Sequence, residues 1–250
     1  MIRSAPLFGL ALACAPNRGA GGSTPPAPAA SAPAEAAPAH SHAHAHHPHA
    51  EAGKHHRFED AATWSRKFDA PDRDEWQKPA AVIAKLRLKR TSLVADIGAG
   101  TGYFTVRIAK VVSRGKVFAV DVEPDMVQHI GERAKKESLT NVVTVLGRSD
   151  NPSLAENVDV AFLCDVAHHI EDRPAFFAKI AERLRPGGRI VVVDFSPDAP
   201  DGGPGPPKEM RVSPATLDFE LGAANLERTA LDVATLPHQY IVEYRSKRRR

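Results

Sequence analysis

From Arg57 onward the chain alternates short, continuously apolar runs with longer amphipathic stretches. The runs LVADI (93–97), KVFAVDV (116–122), NVVTVL (141–146), VDVAFLC (158–164) and RIVVVDF (189–195) are rich in Val, Ile and Phe. Their apolar positions are mostly successive rather than alternate, which predicts strands of a parallel sheet covered on both faces. Between them, Phe104, Ile108, Val111 and Val112 fall on one helical stripe, and Met126, Val127, Ile130 and Ala134 on a second. Phe176, Phe177, Ile180, Ala181 and Leu184 form a third. Pro124 and Pro174 sit where a first helical turn tolerates proline. The third helix is expected to end at ERLRPGG, stopped by Gly187 and Gly188. This order, β-α-β-α-β-α-β-α-β, predicts an α/β fold with a doubly wound sheet and helices on both faces. After a Pro/Gly-rich loop at 197–207, a helix near 214–224 precedes two strands, 228–236 and 239–244, joined tightly at Leu236-Pro237-His238. They add an antiparallel pair and bring the sheet to seven strands. The segment 58–90 is expected to form one or two helices packed before the first strand.

Composition divides the chain into residues 1–57 and a domain at 58–250. The first part holds eight prolines and eight of the twelve histidines, with Ala, Ser and Gly filling most of the rest. Such a segment has too little large apolar surface to offset the entropy of ordering it, and is expected to be disordered. Its start, MIRSAPLFGLALACAP, carries Arg3, an apolar run from Ala5 to Ala13 and then Cys14. It resembles a bacterial lipoprotein signal, with small residues before a lipidated cysteine. That reading implies a lipid anchor at Cys14 and a place in the cell envelope; a start codon assigned too far upstream implies the cytoplasm instead. His40, His42, His44, His46, His47 and His49, followed by His55 and His56, can capture divalent metal loosely, but a flexible tract offers no preorganised site.

Charge adds little. The formal +3 rests on the terminal RSKRRR; without it acids outnumber bases. That tail suits nucleic acid or anionic lipid, and equally a solvated terminus. With two cysteines, Cys14 and Cys164, no disulfide framework is indicated.

The sharpest feature is VADIGAGTGYFTVRIA (94–109), a strand running through glycines 98, 100 and 102 into a helix. Glycines at every second position remove side chains where backbone turns or meets a ligand. A dinucleotide loop would read G-x-G-x-x-G, so the third glycine comes one residue early, and no Gly-Lys-Ser/Thr of a P-loop follows. Asp96, two residues before the loop, would repel a diphosphate but attract an ammonium or sulfonium. Asp121, nineteen residues past Gly102 at the tip of the second strand, can accept both hydroxyls of a ribose. The pair fits S-adenosylmethionine.

At these residues the chain resembles the class I S-adenosylmethionine-dependent methyltransferases, which share a seven-stranded Rossmann-like sheet. DIGAGTG looks like their first motif, AVDVEPDMV their second, FLCDVAHHIED the segment after strand four, and LRPGGRIVVVDF the junction into strand five. The likeness covers roughly 75–245 and is nearest to the ubiquinone/menaquinone-biosynthesis type of small-molecule enzyme. It implies that Asp96, Gly98, Gly100 and Gly102 hold the methionine moiety and Asp121 the ribose, with Met126 near the adenine or ribose. It also implies that Ser149 and Asp150 meet the adenine amino group, although GRSDNPSL departs from the usual acidic-Leu-Pro pattern.

Methyl transfer needs alignment, exclusion of water and, for an oxygen or acidic carbon, removal of a proton. The reacting centre of an open α/β sheet lies beyond the carboxyl ends of its strands, which gathers Asp165, His168, His169 and Asp194. His168 or His169 is the expected base, and a helix cap or edge packing is the plainer role for either. Asp165, His169 and Asp194 could alternatively chelate a metal, although no metal site is assigned. Trp64 and Trp76 suit a lid over the ligand or simple helix packing. The leading expectation is therefore a methyltransferase with a small-molecule acceptor. The competing readings are a tethered metal-binding protein that keeps the fold without turnover, and a nucleic-acid methyltransferase. The second lacks both an Asn/Asp-Pro-Pro-aromatic motif and a basic stripe.

Overall fold

The computed structural model describes residues 61–200 and 202–247. The leader with Cys14, the histidine tract and Arg248–Arg250 lie outside the described residues. The chain runs α1 (Ala61–Phe68), α2 (Arg73–Gln77), α3 (Pro79–Lys85), β1 (Leu93–Ile97), α4 (Tyr103–Val111), β2 (Lys116–Asp121) and α5 (Pro124–Lys136). It continues through β3 (Val142–Leu146), β4 (Val158–Cys164), α6 (Arg173–Ala181), β5 (Leu184–Phe195), α7 (Pro214–Ala223), β6 (Leu226–Asp232) and β7 (Gln239–Ser246). The strands form one seven-stranded sheet in the order β3-β2-β1-β4-β5-β7-β6. β1 to β5 are parallel, and β7 runs antiparallel to both β5 and β6.

The runs of successive apolar residues exist because the sheet is buried twice. Ala161, Leu163, Ile190 and Val192 face one layer with Phe177, Ile180, Leu217 and Leu221 of α6 and α7. Their neighbours Val160, Phe162, Val191 and Val193 face the other, against Leu86, Phe104, Ile108 and Val112. Phe104 and Phe162 meet edge to face at 5.1 Å across that second layer. Deleting a ring such as Phe162 would cost about 3–5 kcal/mol, enough to endanger an ordinary domain.

Three boundaries differ from the sequence reading. The helix α6 ends at Ala181, and β5 already begins at Leu184, so the glycines do not stop a helix. The Val158 amide bonds to the Arg183 carbonyl and Val158 pairs with Leu184, after which the register jumps to Val160–Arg189. Arg185–Gly188 is therefore a bulge inside β5, where a Cβ on Gly188 would stand 2.9 Å from the Arg185 carbonyl oxygen. β6 spans 226–232, not 228–236, because Asp232 turns on itself and accepts the amides of Ala234 and Thr235. Upstream of β1 there are three helices, because Lys78 adopts φ +45° between α2 and the Pro79 start of α3. The first part of the basic tail is bound to the fold, with Arg245 on the Gly187 carbonyl and Lys247 on that of Gly222. Among the described residues no helix is long and apolar enough to cross a membrane.

Candidate functional site

Strand order reverses between β1 and β4: the chain winds one way through β2 and β3 and returns to build β4 and β5 on the other side. The loops leaving β1 and β4 must therefore part, and a crevice opens at their carboxyl ends. The glycine loop lines one wall. Gly98 has φ +71°, and a Cβ there would lie 2.3 Å from Val166 of the β4 loop, so any side chain would push the two walls apart. Around Gly100 the built Cβ meets only Phe68, at 3.7 Å, whereas at Gly102 it meets Ile130.

Asp121 ties the loop to β2. One carboxylate oxygen accepts the Gly100 amide at 2.8 Å and the other the Glu123 amide at 3.0 Å. The Val122 amide also bonds to this carboxylate, and of its roughly four acceptor positions what is left suits a ribose hydroxyl. Burial raises the Asp121 pKa against the pull of these amides. Val122, the next residue, is 51 % exposed and offers an apolar face beside the acid. Asp96 is buried and accepts the Thr105 hydroxyl at 2.6 Å. Burial pushes its pKa up to about 7, and the Asp121 charge adds to the rise, while Thr105 and Arg73 oppose it. Thr101, between two of the glycines, has a buried hydroxyl oxygen with no hydrogen-bond partner. An orphaned hydroxyl and two buried acids present acceptors and negative charge, chemistry that suits a cationic, hydroxylated ligand better than a phosphate.

The other wall follows β4. Asp165 has φ +61°, and its carboxylate accepts from Gln239 and lies 3.5 Å from Arg73. Its pKa is raised to about 6, chiefly by burial and by the Asp194 charge, with Arg73 and His168 resisting. A 3₁₀ turn at Ala167–His169 carries the two histidines. His168 Nδ1 stands 2.7 Å from Asp194 Oδ1, and the His168 amide reaches Asp194 Oδ2 at 3.2 Å. Burial works to lower the His168 pKa, but the Asp194 hydrogen bond and the charges of Asp194 and Asp165 outweigh it and raise it. His169 lies alongside, its ring 4.1 Å from that of His168.

Asp96, the glycines and Asp121 thus meet at one wall, and Asp165, His168 and Asp194 at the other. Met126, in the first turn of α5, is buried. Ser149 and Asp150 sit on an exposed turn, where Asp150 pairs with Arg148 and with Lys179 of α6. No group of three metal-binding side chains converges among the described residues, and the Asp194 carboxylate is taken up by His168. Trp64 stacks on Phe68 at 5.2 Å, and Trp76 packs against Phe195 at 5.9 Å; Phe68, not a tryptophan, approaches the glycine loop. An open groove of about 460 Å³, lined by Pro124, Val127, Gly131, Thr144 and Leu146, lies between α5 and β3.

Sequence reasoning missed the polar contacts under α2. Arg73 bonds to the Phe68 carbonyl and to Gln77 Oε1, and lies over the Tyr103 ring at 4.0 Å. Gln77 is fully buried, donating to Gln239 at 2.7 Å and to Cys164 Sγ at 3.2 Å. A polar run such as APDRDEWQKP inside a predicted helical segment was the available signal.

The methyltransferase-domain family model matches residues 94–188. Demethylmenaquinone methyltransferase of Tropheryma whipplei is 31% identical over 103 residues, 41% of each chain. Phosphoethanolamine N-methyltransferase 1 of Triticum aestivum is 30% identical over 120 residues, 47% of this chain and 24% of that protein. The chain thus spans less than half the length of these curated relatives. A solved S-adenosylmethionine-dependent methyltransferase from Aquifex aeolicus superposes with a TM-score of 0.67 at 26% identity, covering 74% of this chain and 97% of that one.

Proposed function

Since the chain belongs to the class I S-adenosylmethionine-dependent methyltransferases, we propose that it moves the cofactor's methyl group to a proton-bearing nucleophile of a small molecule. When bound, the cofactor supplies an electrophilic methyl on a positively charged sulfur. Asp121 would hold the ribose through its remaining acceptor capacity, with the Val122 side chain offering an apolar face beside it. Asp96, together with the open backbone at Gly100, would face the cationic methionine end. Gly98 keeps the two walls close enough for both to touch one ligand. His168 would take the acceptor's proton at Nε2, because its Nδ1 is committed to Asp194, which fixes the ring. Its raised pKa means that the base form grows as pH climbs through and above the ordinary histidine range. The names of the two curated relatives point to an amine and to a quinone, so neither acceptor is carried over.

The observation that carries this reading is the Asp121 carboxylate, which stitches the glycine loop to β2 and keeps acceptor capacity to spare. Calorimetric titration with S-adenosylhomocysteine tests it. The wild type should bind in the micromolar range, and Asp121→Ala should bind at least tenfold more weakly, about 1.4 kcal/mol. A wild-type protein that fails to bind below millimolar ligand would sink the reading.

A further inference from the structure

The strand ends away from the crevice have a chemistry of their own. β1 to β5 all start there, and β7, antiparallel to β5, finishes there, with Ser246 opposite Leu226 at the start of β6. The connections arriving at this end are basic. Arg87, Lys89 and Arg90 precede β1, Arg114 precedes β2, Arg183 precedes β5, and Lys247 follows β7; all of them are exposed. Neighbouring connections touch: the Arg114 amide bonds to the Arg90 carbonyl at 2.8 Å, and Arg90 Nε to Ser113 Oγ at 3.1 Å.

Most acids here are already spent. Glu156 pairs with Lys116 at 2.6 Å, Asp159 with Arg185 at 3.6 Å, and Glu243 with both Arg87 and Arg245. Lys89, Arg90, Arg114, Arg183 and Lys247 have no carboxylate partner among the described residues, and against them stand the exposed Glu182 and Glu227. The acids of the crevice lie toward the other end of the same strands, so the domain is electrically polarised along them. The bases are scattered through the sequence, and folding gathers them onto one face.

α7 brings an apolar surface to this end. Leu217 and Leu221 lie in the core, whereas Ala215, Phe219 and Ala223, spaced four apart on another face, are exposed. Phe219 is 85 % exposed. A surface helix ordinarily turns polar residues outward. Here the outer face is a phenyl ring between two methyls, and a Cβ built on Gly222 beside it would meet nothing within 4 Å. The acids flanking that face are paired, Asp218 with Arg228 at 2.8 Å and Glu220 with Arg173 at 2.9 Å. Lys247 joins the two features. Its Nζ bonds to the Gly222 carbonyl at 3.2 Å and its amide to the Asn225 carbonyl at 2.9 Å, and Arg248, Arg249 and Arg250 follow it directly in the sequence.

We propose that this end of the domain is a docking face for an anionic membrane surface, with its unpaired bases against lipid phosphates and Phe219 in the boundary below them. The charge complementarity selects an anionic partner, and the exposed ring selects one that is apolar a few ångströms deeper. A nucleic-acid duplex offers the phosphates without that apolar layer. Docking here keeps the cofactor crevice on the side away from the lipid. The proposal is independent of the methyltransferase reading.

Co-sedimentation of the full chain with vesicles tests it, comparing pure phosphatidylcholine with a mixture containing one-quarter phosphatidylglycerol. The wild type should bind the anionic vesicles at least about tenfold more tightly. That difference should vanish on raising salt from about 0.05 M to about 0.5 M, where the screening length falls to a few ångströms. Lys89→Glu/Arg114→Glu should weaken anionic binding at least about twentyfold, since each base near such a surface is worth about 1 kcal/mol. Phe219→Ser should weaken it about fivefold. Both variants change exposed side chains, and an unaltered urea midpoint shows that they fold. Equal binding to the two vesicles would assign any binding to the apolar leader and overturn the proposal. Anionic binding untouched by the double charge reversal overturns the basic face, and binding untouched by Phe219→Ser overturns the role of α7. Tighter binding to duplex DNA of random sequence than to the anionic vesicles, at the same salt, would make this a nucleic-acid surface instead.

Discussion

Asp96 illustrates how much one residue's chemistry depends on its surroundings. In the sequence it is an acid placed to attract a cation, and that requires it to be ionised. In the folded protein burial pushes its pKa up to about 7, so near neutrality a large share of it carries a proton. A cation arriving beside it favours the charged form and drives the proton off. Binding of S-adenosylmethionine at pH 6.5 should therefore release up to one proton. Calorimetry in buffers of different ionisation enthalpy measures that release, and Asp96→Asn should abolish it. Unchanged proton release in the variant would place the linkage elsewhere. The glycines were legible because a missing side chain is visible in any sequence. That Gly98 must be bare because Val166 lies against it was not, since the two are 68 positions apart and meet only once β1 and β4 pair.

At the scale of elements, the parallel strands declared themselves because burial on both faces leaves an unbroken apolar run. Their boundaries were less legible wherever a partner set them. The bulge in β5 exists because Leu184 can pair with Val158, and the sequence of RPGG alone reads equally as a helix stop. The helices α1 and α2 were anticipated as packing or as a lid closed by Trp64 and Trp76; it is Phe68 of α1 that lies against the glycine loop. Arg133 of α5 holds them there, pairing with Asp69 at 3.0 Å and bonding to the Thr101 carbonyl at 3.0 Å. A partly buried arginine with two such partners is worth about 1–2 kcal/mol. Arg133→Ala should lower stability by that amount and speed hydrogen exchange in residues 61–68 more than in the strands. Uniform exchange across the domain would show that α1 is held by other contacts.

The whole molecule places its buried acids together at the carboxyl ends of the strands. Asp96 and Asp165 have pKa values raised to about 7 and about 6, and Asp121 is raised as well, each mainly by burial. A carboxyl whose folded pKa is raised binds more protons in the native than in the unfolded state between its two pKa values. Stability contributed there falls as pH rises through that window, roughly pH 4 to 7. The raised His168 pKa acts in the same direction from about pH 6.5 upward, because its stabilisation is present below the unfolded value and lost above the folded one. The protein without cofactor should therefore be more stable to urea at pH 5 than at pH 7.5, by a few kcal/mol. Asp96→Asn should flatten much of that slope, and a stability maximum near pH 7.5 in the wild type would contradict it. What the sequence determined by itself was the fold and the cofactor loop, because strand burial and glycine spacing are local patterns in the chain. Only the tertiary structure decided which polar groups face one another: Asp194 with His168, and Arg73 and Gln239 with Asp165. Those pairings join residues far apart in sequence, and whether each is ionised, paired or orphaned follows from burial that no single segment encodes.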